Sequence, residues 1–71
     1  MGETNRLKVV LAEKRKTNKW LAQKLDFKET TVSRWVQNKQ QPSVKTLIAI
    51  ANFLEVDIRV LFNPTRPDNL P

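Results

Sequence analysis

Residues 17–42, TNKWLAQKLDFKETTVSRWVQNKQQP, decide the fold of this chain. Their apolar members Leu21, Ala22, Leu25, Phe27, Val32 and Trp35 fall where two short helices crossing at a steep angle would face each other. Lys19, Lys24, Lys28, Thr30, Ser33 and Arg34 fall on the other side. The pattern predicts a helix pair whose apolar side builds a small core and whose cationic, amide-rich side is left for a partner.

Local signals place the ends of both helices. Thr17 is an N-cap type, and Leu21, Ala22 and Leu25 define a second helix over residues 18–24. Asp26 ends it, since Asp tolerates the left-handed conformation better than most residues, and Phe27 supplies the apolar residue of the turn. A third helix is predicted over residues 29–37, with Glu29 at the positive end of its dipole and Val32 and Trp35 directed at the core. Asn38 reads as its left-handed C-cap.

Upstream, Leu7, Val10 and Leu11 recur at helical spacing and predict a first helix over residues 5–14, followed by the cations Lys14, Arg15 and Lys16. Downstream, Ser43 caps a fourth helix with the stripe Leu47, Ile50, Ala51 and Leu54. Asp57 caps a short fifth helix over residues 58–62, stopped by Asn63 and Pro64. Residues 1–63 thus read as one domain and residues 64–71, which hold three of the four prolines, as an extended or flexible tail. There is no strand pattern and no internal repeat.

Seventy-one residues allow one small domain with little room for a deep active site. The chain has no Cys and no His, which removes disulfide frameworks, zinc fingers and the usual nucleophile or imidazole-base arrangements. No enzyme activity, metal or cofactor is expected. No stretch reaches the roughly 20 apolar residues of a membrane span, and no secretory signal or myristoylation motif is evident, so the expected location is cytoplasmic. The net charge of +6 is uneven: residues 1–45 carry 11 Lys and Arg against 4 acids, residues 46–71 only 2 against 3. A basic front of this kind attracts the phosphate backbone of double-stranded DNA by releasing condensed counterions, although a solvated lysine-rich surface is an equally ordinary origin for it.

A helix pair that reads DNA needs phosphate grips at the first helix and side chains on the second that reach base edges. Thr17 and Asn18 place a hydroxyl and an amide beside the free N–H groups of a helix N-terminus. On the third helix, Lys28, Glu29, Thr30, Ser33 and Arg34 face outward, with Thr31 and Gln37 at the margins. Arg34 has the fork for guanine O6 and N7, the Thr30 methyl suits a thymine methyl, and Glu29 either accepts from cytosine N4 or serves only the helix dipole.

The run Leu21-Ala22, Leu25-Asp26-Phe27, Thr31-Val32-Ser33-Arg34-Trp35, then Asn38-Lys39 and Gln41-Pro42-Ser43, resembles the Cro and phage-repressor helix-turn-helix family, the XRE type, over about residues 6–62. The resemblance implies an all-α, five-helix lambda-repressor-like DNA-binding domain, with helices two and three as the helix-turn-helix, and a dimer on a palindromic operator. It implies phosphate contacts from Asn18, Lys28 and Lys39 and base reading by Glu29, Thr30 and Arg34. The chain departs from the pattern at Asp26 and Asn38, both usually Gly, at Val36, usually acidic, at Lys16, usually apolar, and at Lys28, usually a Ser or Thr cap.

Three apolar features remain. Trp35 reads as core. Trp20 and Leu11 stand at generally polar positions of the family and are read as a contact between helices one and two, with an exposed patch for another protein as the alternative. Ile58, Val60 and Phe62 exceed what one small core absorbs and are expected to meet a second subunit in a homodimer. The leading functional reading is a transcriptional repressor. The alternatives are an antitoxin that also captures a toxin protein through Trp20, helix five or the tail, and an interaction module that has lost DNA binding.

Overall fold

A computed structural model of the chain describes residues 5–62. Its helices are α1 (Leu7–Glu13), α2 (Asn18–Leu25), α3 (Glu29–Val36) and α4 (Val44–Leu54), followed by a 3₁₀ turn at Ile58–Leu61. The fold is all-α as expected, but the fifth helix is a single 3₁₀ turn. Asp57 caps it, accepting the Arg59 N–H at 2.8 Å, and Phe62 is already extended. The tail of residues 64–71 and the stop at Asn63 and Pro64 lie outside the described residues.

Each helix begins where a side chain or a turn relieves its unpaired N–H groups. The Thr17 hydroxyl accepts from the Trp20 N–H at 3.0 Å, and the Ser43 hydroxyl accepts from the Thr46 N–H at 3.1 Å. Lys28 caps α3 with extended backbone and no side-chain bond, leaving Glu29 to complement the dipole in the first turn.

Packing follows the apolar stripes. Leu7, Val10, Leu11, Leu21, Ala22, Val32, Trp35, Leu47, Ile50, Ala51, Leu54 and Leu61 form one buried cluster. α2 packs on α3 and α4, α1 on α3, and the 3₁₀ turn on both α1 and α4. Leu7, Leu21, Val32, Ile50 and Leu61 are completely buried, each stabilising the fold by about 1.5–3 kcal/mol.

Two members of the expected helix-pair core lie further out. Leu25 is only partly buried, and Phe27 is 44% exposed, its ring resting edge-on against Trp35 with centroids 5.1 Å apart. The turn holds Phe27 at the rim of α3, where it shields Trp35 rather than entering the core. Leu11 is buried, and Trp20 packs partly buried against the same cluster, with Lys16 Nζ 4.8 Å and Lys24 Nζ 5.9 Å from its ring centroid. Cations over an indole gain from the ring quadrupole and cover its exposed surface. Trp20 is therefore seated by packing on its inner side and by lysines at its outer side.

The first helix starts at Leu7 rather than at residue 5, because Asn5 is used elsewhere. Asn5 is 2% exposed and pairs as an isolated antiparallel bridge with Phe62, while the Arg6 N–H donates to Leu61 O at 2.8 Å. The Asn5 Nδ2 donates to Trp35 O at 2.9 Å and to Gln41 Oε1 at 2.8 Å, and its Oδ1 accepts the Leu7 N–H at 3.0 Å. The Asn38 carboxamide answers with the geometry of a neighbouring strand: its Oδ1 accepts the Asn5 N–H at 2.9 Å and its Nδ2 donates to Asn5 O at 3.1 Å. No described buried side-chain nitrogen or oxygen lacks a partner.

Left-handed backbone occurs at Arg15, Asp26, Asn38 and Glu55, each at or just beyond a helix end and none a glycine. Asp26 and Asn38 were the two anticipated from the sequence. Asn38 is compensated by the bonds of its carboxamide to Asn5, which a glycine could not make. Glu55 makes no such side-chain bond among the described residues. A left-handed L-residue is strained by about 1–2 kcal/mol, and glycine relieves that strain at some cost in unfolded-chain entropy.

Glu55→Gly should therefore raise stability by about 0.5–1 kcal/mol and the thermal midpoint by about 3–6 °C. An unchanged or lowered midpoint in calorimetry would show that the turn is not strained.

The Asp57 carboxylate accepts from the Arg59 side chain at 2.9 and 3.1 Å as well as from the Arg59 N–H, and these bonds hold its pKa at about 2 instead of the usual 3.8. The depressed value means that its contribution is complete above the ordinary carboxylate range and is lost as pH falls through about 2. NMR titration of Asp57 should give a midpoint near 2, moving back toward 3.8 in Arg59→Ala. Equal midpoints in the two proteins would place the depression elsewhere.

Candidate nucleic-acid interface

The interface is built from one turn and one helix face. Asp26 takes φ 60°, ψ 44°, and the Phe27 N–H donates to Ala22 O at 2.9 Å, closing α2 and redirecting the chain. Extended Lys28 then starts α3, its carbonyl accepting from Thr31 and Val32 at 3.0 and 3.2 Å. Val32 and Trp35, at 0% and 3% exposure, take the inner face. At 3.6 residues per turn this leaves Thr30, Ser33, Arg34 and Gln37 in one outward row, with Lys28 and Glu29 at its N-terminal end.

The expected contact residues lie on this surface. Lys28, Glu29, Thr30, Arg34 and Lys39 are exposed and Ser33 is half-buried. The Ser33 hydroxyl accepts from Gln37 Nε2 at 3.2 Å, so Gln37, marginal in the sequence reading, is tied into the row. Among the described residues the one ion pair joins Arg59 and Asp57, far from α3 in sequence. Lys28, Arg34 and Lys39 therefore present charge that no neighbouring described carboxylate neutralises, the condition under which an external phosphate or guanine edge gains most.

Two further sets of expected contact residues flank the row. Thr17 and Asn18 sit at the start of α2, which packs directly on α3. The Thr17 oxygen is occupied by the Trp20 N–H, so its structural duty as a cap is certain and only its own proton is left for a phosphate oxygen. On the far side of α3, Lys39 follows left-handed Asn38; the N–H groups of Lys39 and Gln40 both donate to Arg34 O, at 2.9 and 3.3 Å. Arg34 and Lys39, both expected contacts, are thus connected through one carbonyl.

Away from this face a shallow cleft of about 300 Å³ lies between Lys14, Lys16, Trp20, Phe53, Leu54 and Glu55. It contains no residue of α3 and none of the expected contacts. No cluster of described acidic residues could hold a metal, and no described helix is long and apolar enough to cross a membrane.

With a capped helix, a left-handed turn and a second helix carrying an outward cationic row, the geometry is that of a helix-turn-helix, and the comparison with known families agrees over residues 7–61. The chain belongs to the XRE-type helix-turn-helix family. A crystal structure of a proposed DNA-binding protein from Bacteroides fragilis is similar at TM-score 0.84 and 53% sequence identity, over 84% of this chain and 97% of that one. None of the curated proteins matches the chain.

The family match accounts for α2 and α3, but sequence reasoning missed Asn5 and Gln41. A single Asn before an amphipathic segment reads as a helix start, and nothing local signals that it is buried beneath a loop more than 30 residues away. The one available hint was the pair of amides at Asn38 and Gln41, which have no apolar neighbour between them.

Proposed function

We propose that this XRE-type helix-turn-helix protein is a sequence-specific transcriptional repressor, acting in the cytoplasm by occupying an operator and excluding polymerase. The observation that carries the reading is the uncompensated outward row of α3, flanked by Lys28 and Lys39, on a scaffold whose family is that of DNA-binding regulators. Arg34 and Thr30 read base edges, Glu29 and Ser33 line the same groove, and Thr17, Asn18, Lys28 and Lys39 hold phosphates. Recognition of a duplex by a helix face uses no catalytic group, so the protein is a binder and not an enzyme.

The operator is palindromic and the protein binds it as a homodimer. Phe62 is 38% exposed, and Ile58 and Val60 beside it are only partly buried, which leaves an apolar edge on the 3₁₀ turn for the second subunit. Twofold pairing there would set two copies of α3 about 34 Å apart, one turn of DNA. The resulting bivalent grip supplies affinity that a single short helix lacks.

In-vitro selection from a random duplex library should enrich an inverted repeat with half-sites about one turn apart. On that duplex Arg34→Ala and Thr30→Ala should each cost about 1–3 kcal/mol and relax preference at their own positions, whereas Lys39→Ala should weaken specific and random duplexes equally. Identical effects of the two kinds of change would refute the division into readers and grips. Salt-sensitive binding without enrichment would move the function to a protein partner.

For the dimer, sedimentation on the selected duplex should show two chains per operator, and Phe62→Lys should reduce this to one. A single chain per operator for the unaltered protein would remove the interface.

A further inference from the structure

Between α3 and α4 the chain has no apolar side chain until Pro42, which is buried at the far end of the segment. Residues 37–41 are Gln, Asn, Lys, Gln and Gln, so the position of Lys39 depends on hydrogen bonds rather than burial. From the α3 side it is held by the bonds of Lys39 and Gln40 N–H to Arg34 O. From beneath, it is held by Asn5. The Asn38 carboxamide exchanges two bonds with the Asn5 main chain, Gln41 Oε1 accepts from Asn5 Nδ2 at 2.8 Å, and Gln41 Nε2 donates to Asn38 Oδ1 at 3.1 Å. Asn38 and Gln41 bracket Lys39, so Asn5 clamps both ends of the piece that carries it.

We propose that Asn5 is a positioning residue for DNA binding, its main chain holding Asn38 and its side chain holding Gln41, so that Asn5→Ala releases the Gln41 end of the piece that presents Lys39 to the phosphate backbone. The inference rests on the DNA-binding reading above. The orientation of α3 is set by buried Val32 and Trp35; Asn5 Nδ2 also donates to Trp35 O at 2.9 Å, so Gln41→Ala is the change that loosens the loop while leaving α3 and its outward row untouched. The loosened loop must then be ordered when DNA binds, and that entropy appears as lost affinity shared by all sequences. The clamp also accounts for an asparagine in place of glycine at the left-handed position 38: the carboxamide is required there, and Asn adopts that conformation more readily than most residues.

The test is a double-mutant cycle on the full chain, using fluorescence anisotropy with the selected duplex and a scrambled one across a potassium chloride series. Each protein is measured at a temperature where circular dichroism shows it folded. Asn5→Ala and Gln41→Ala should each weaken both duplexes by the same factor, about three- to tenfold, and lower the salt slope toward that of Lys39→Ala. In the Lys39→Ala background neither should weaken binding further. Should Asn5→Ala fail to fold, exposed Gln41 gives the same cycle with the same criteria.

Equal losses in both backgrounds, an unchanged salt slope, or altered preference between the duplexes would each overturn the inference. So would full affinity of Lys39→Ala while the unaltered chain binds its operator. Absence of any enriched duplex for the unaltered chain overturns the functional reading instead, and the cycle on a random duplex still decides the part played by Asn5.

Discussion

Val32 and Trp35, three residues apart on α3, are buried together in only one rotational setting of that helix. With Leu21 and Ala22 buried in the same cluster and α2 packed on α3, the setting turns Thr30, Ser33 and Arg34 outward. Rotation by one position would expose about 3 kcal/mol or more of aromatic and aliphatic burial. A helix of two turns has little stability of its own, so this burial is both what makes α3 helical and what aims it. The outward setting of α3 and its folding energy thus have a common source, which explains how a short chain carries a precise surface.

Polar contacts perform the tasks that burial leaves undone. The helices end in left-handed residues without glycine, and residues 37–41 after α3 have no apolar side chain to seat them ahead of buried Pro42. At Asp26 the strain is borne by the turn itself. At Asn38 a carboxamide that mimics a strand partner ties the loop to Asn5, whose own side chain is buried and bonded at both its nitrogen and its oxygen. A buried amide is favourable only when satisfied, and a satisfied one is specific, because each bond demands a direction. The N-terminal segment is therefore tied directly to the loop that carries Lys39.

The charge pattern complements this framework. The basic excess of the first 45 residues is concentrated on α1, α2, α3 and the segments joining them, while Glu55 and Asp57 sit between α4 and the 3₁₀ turn. Lys16 and Lys24 are drawn to the face of Trp20 rather than to carboxylates, so their charge still contributes to the field around α2. Long-range attraction belongs to the whole basic half, and in the proposed reading recognition falls to the few side chains that α3 presents.

The sequence by itself determined the helix pair, its family and its outward residues. Helical spacing of Leu21, Ala22, Val32 and Trp35, the caps at Thr17, Ser43 and Asp57, and the left-handed turns at Asp26 and Asn38 are local properties, encoded within a few residues of where they act. Local rules also misplaced what long-range contact controls. Asn5 left the first helix to bond with residues 38 and 41, Phe27 stayed at the rim, and the fifth helix shortened to a 3₁₀ turn paired with the N-terminal segment. The Asn5 and 3₁₀ outcomes depend on bonds between segments more than 30 residues apart, and the place of Phe27 on its contact with Trp35 in the next helix. Only the folded chain brings such groups together, and no periodicity records their meeting.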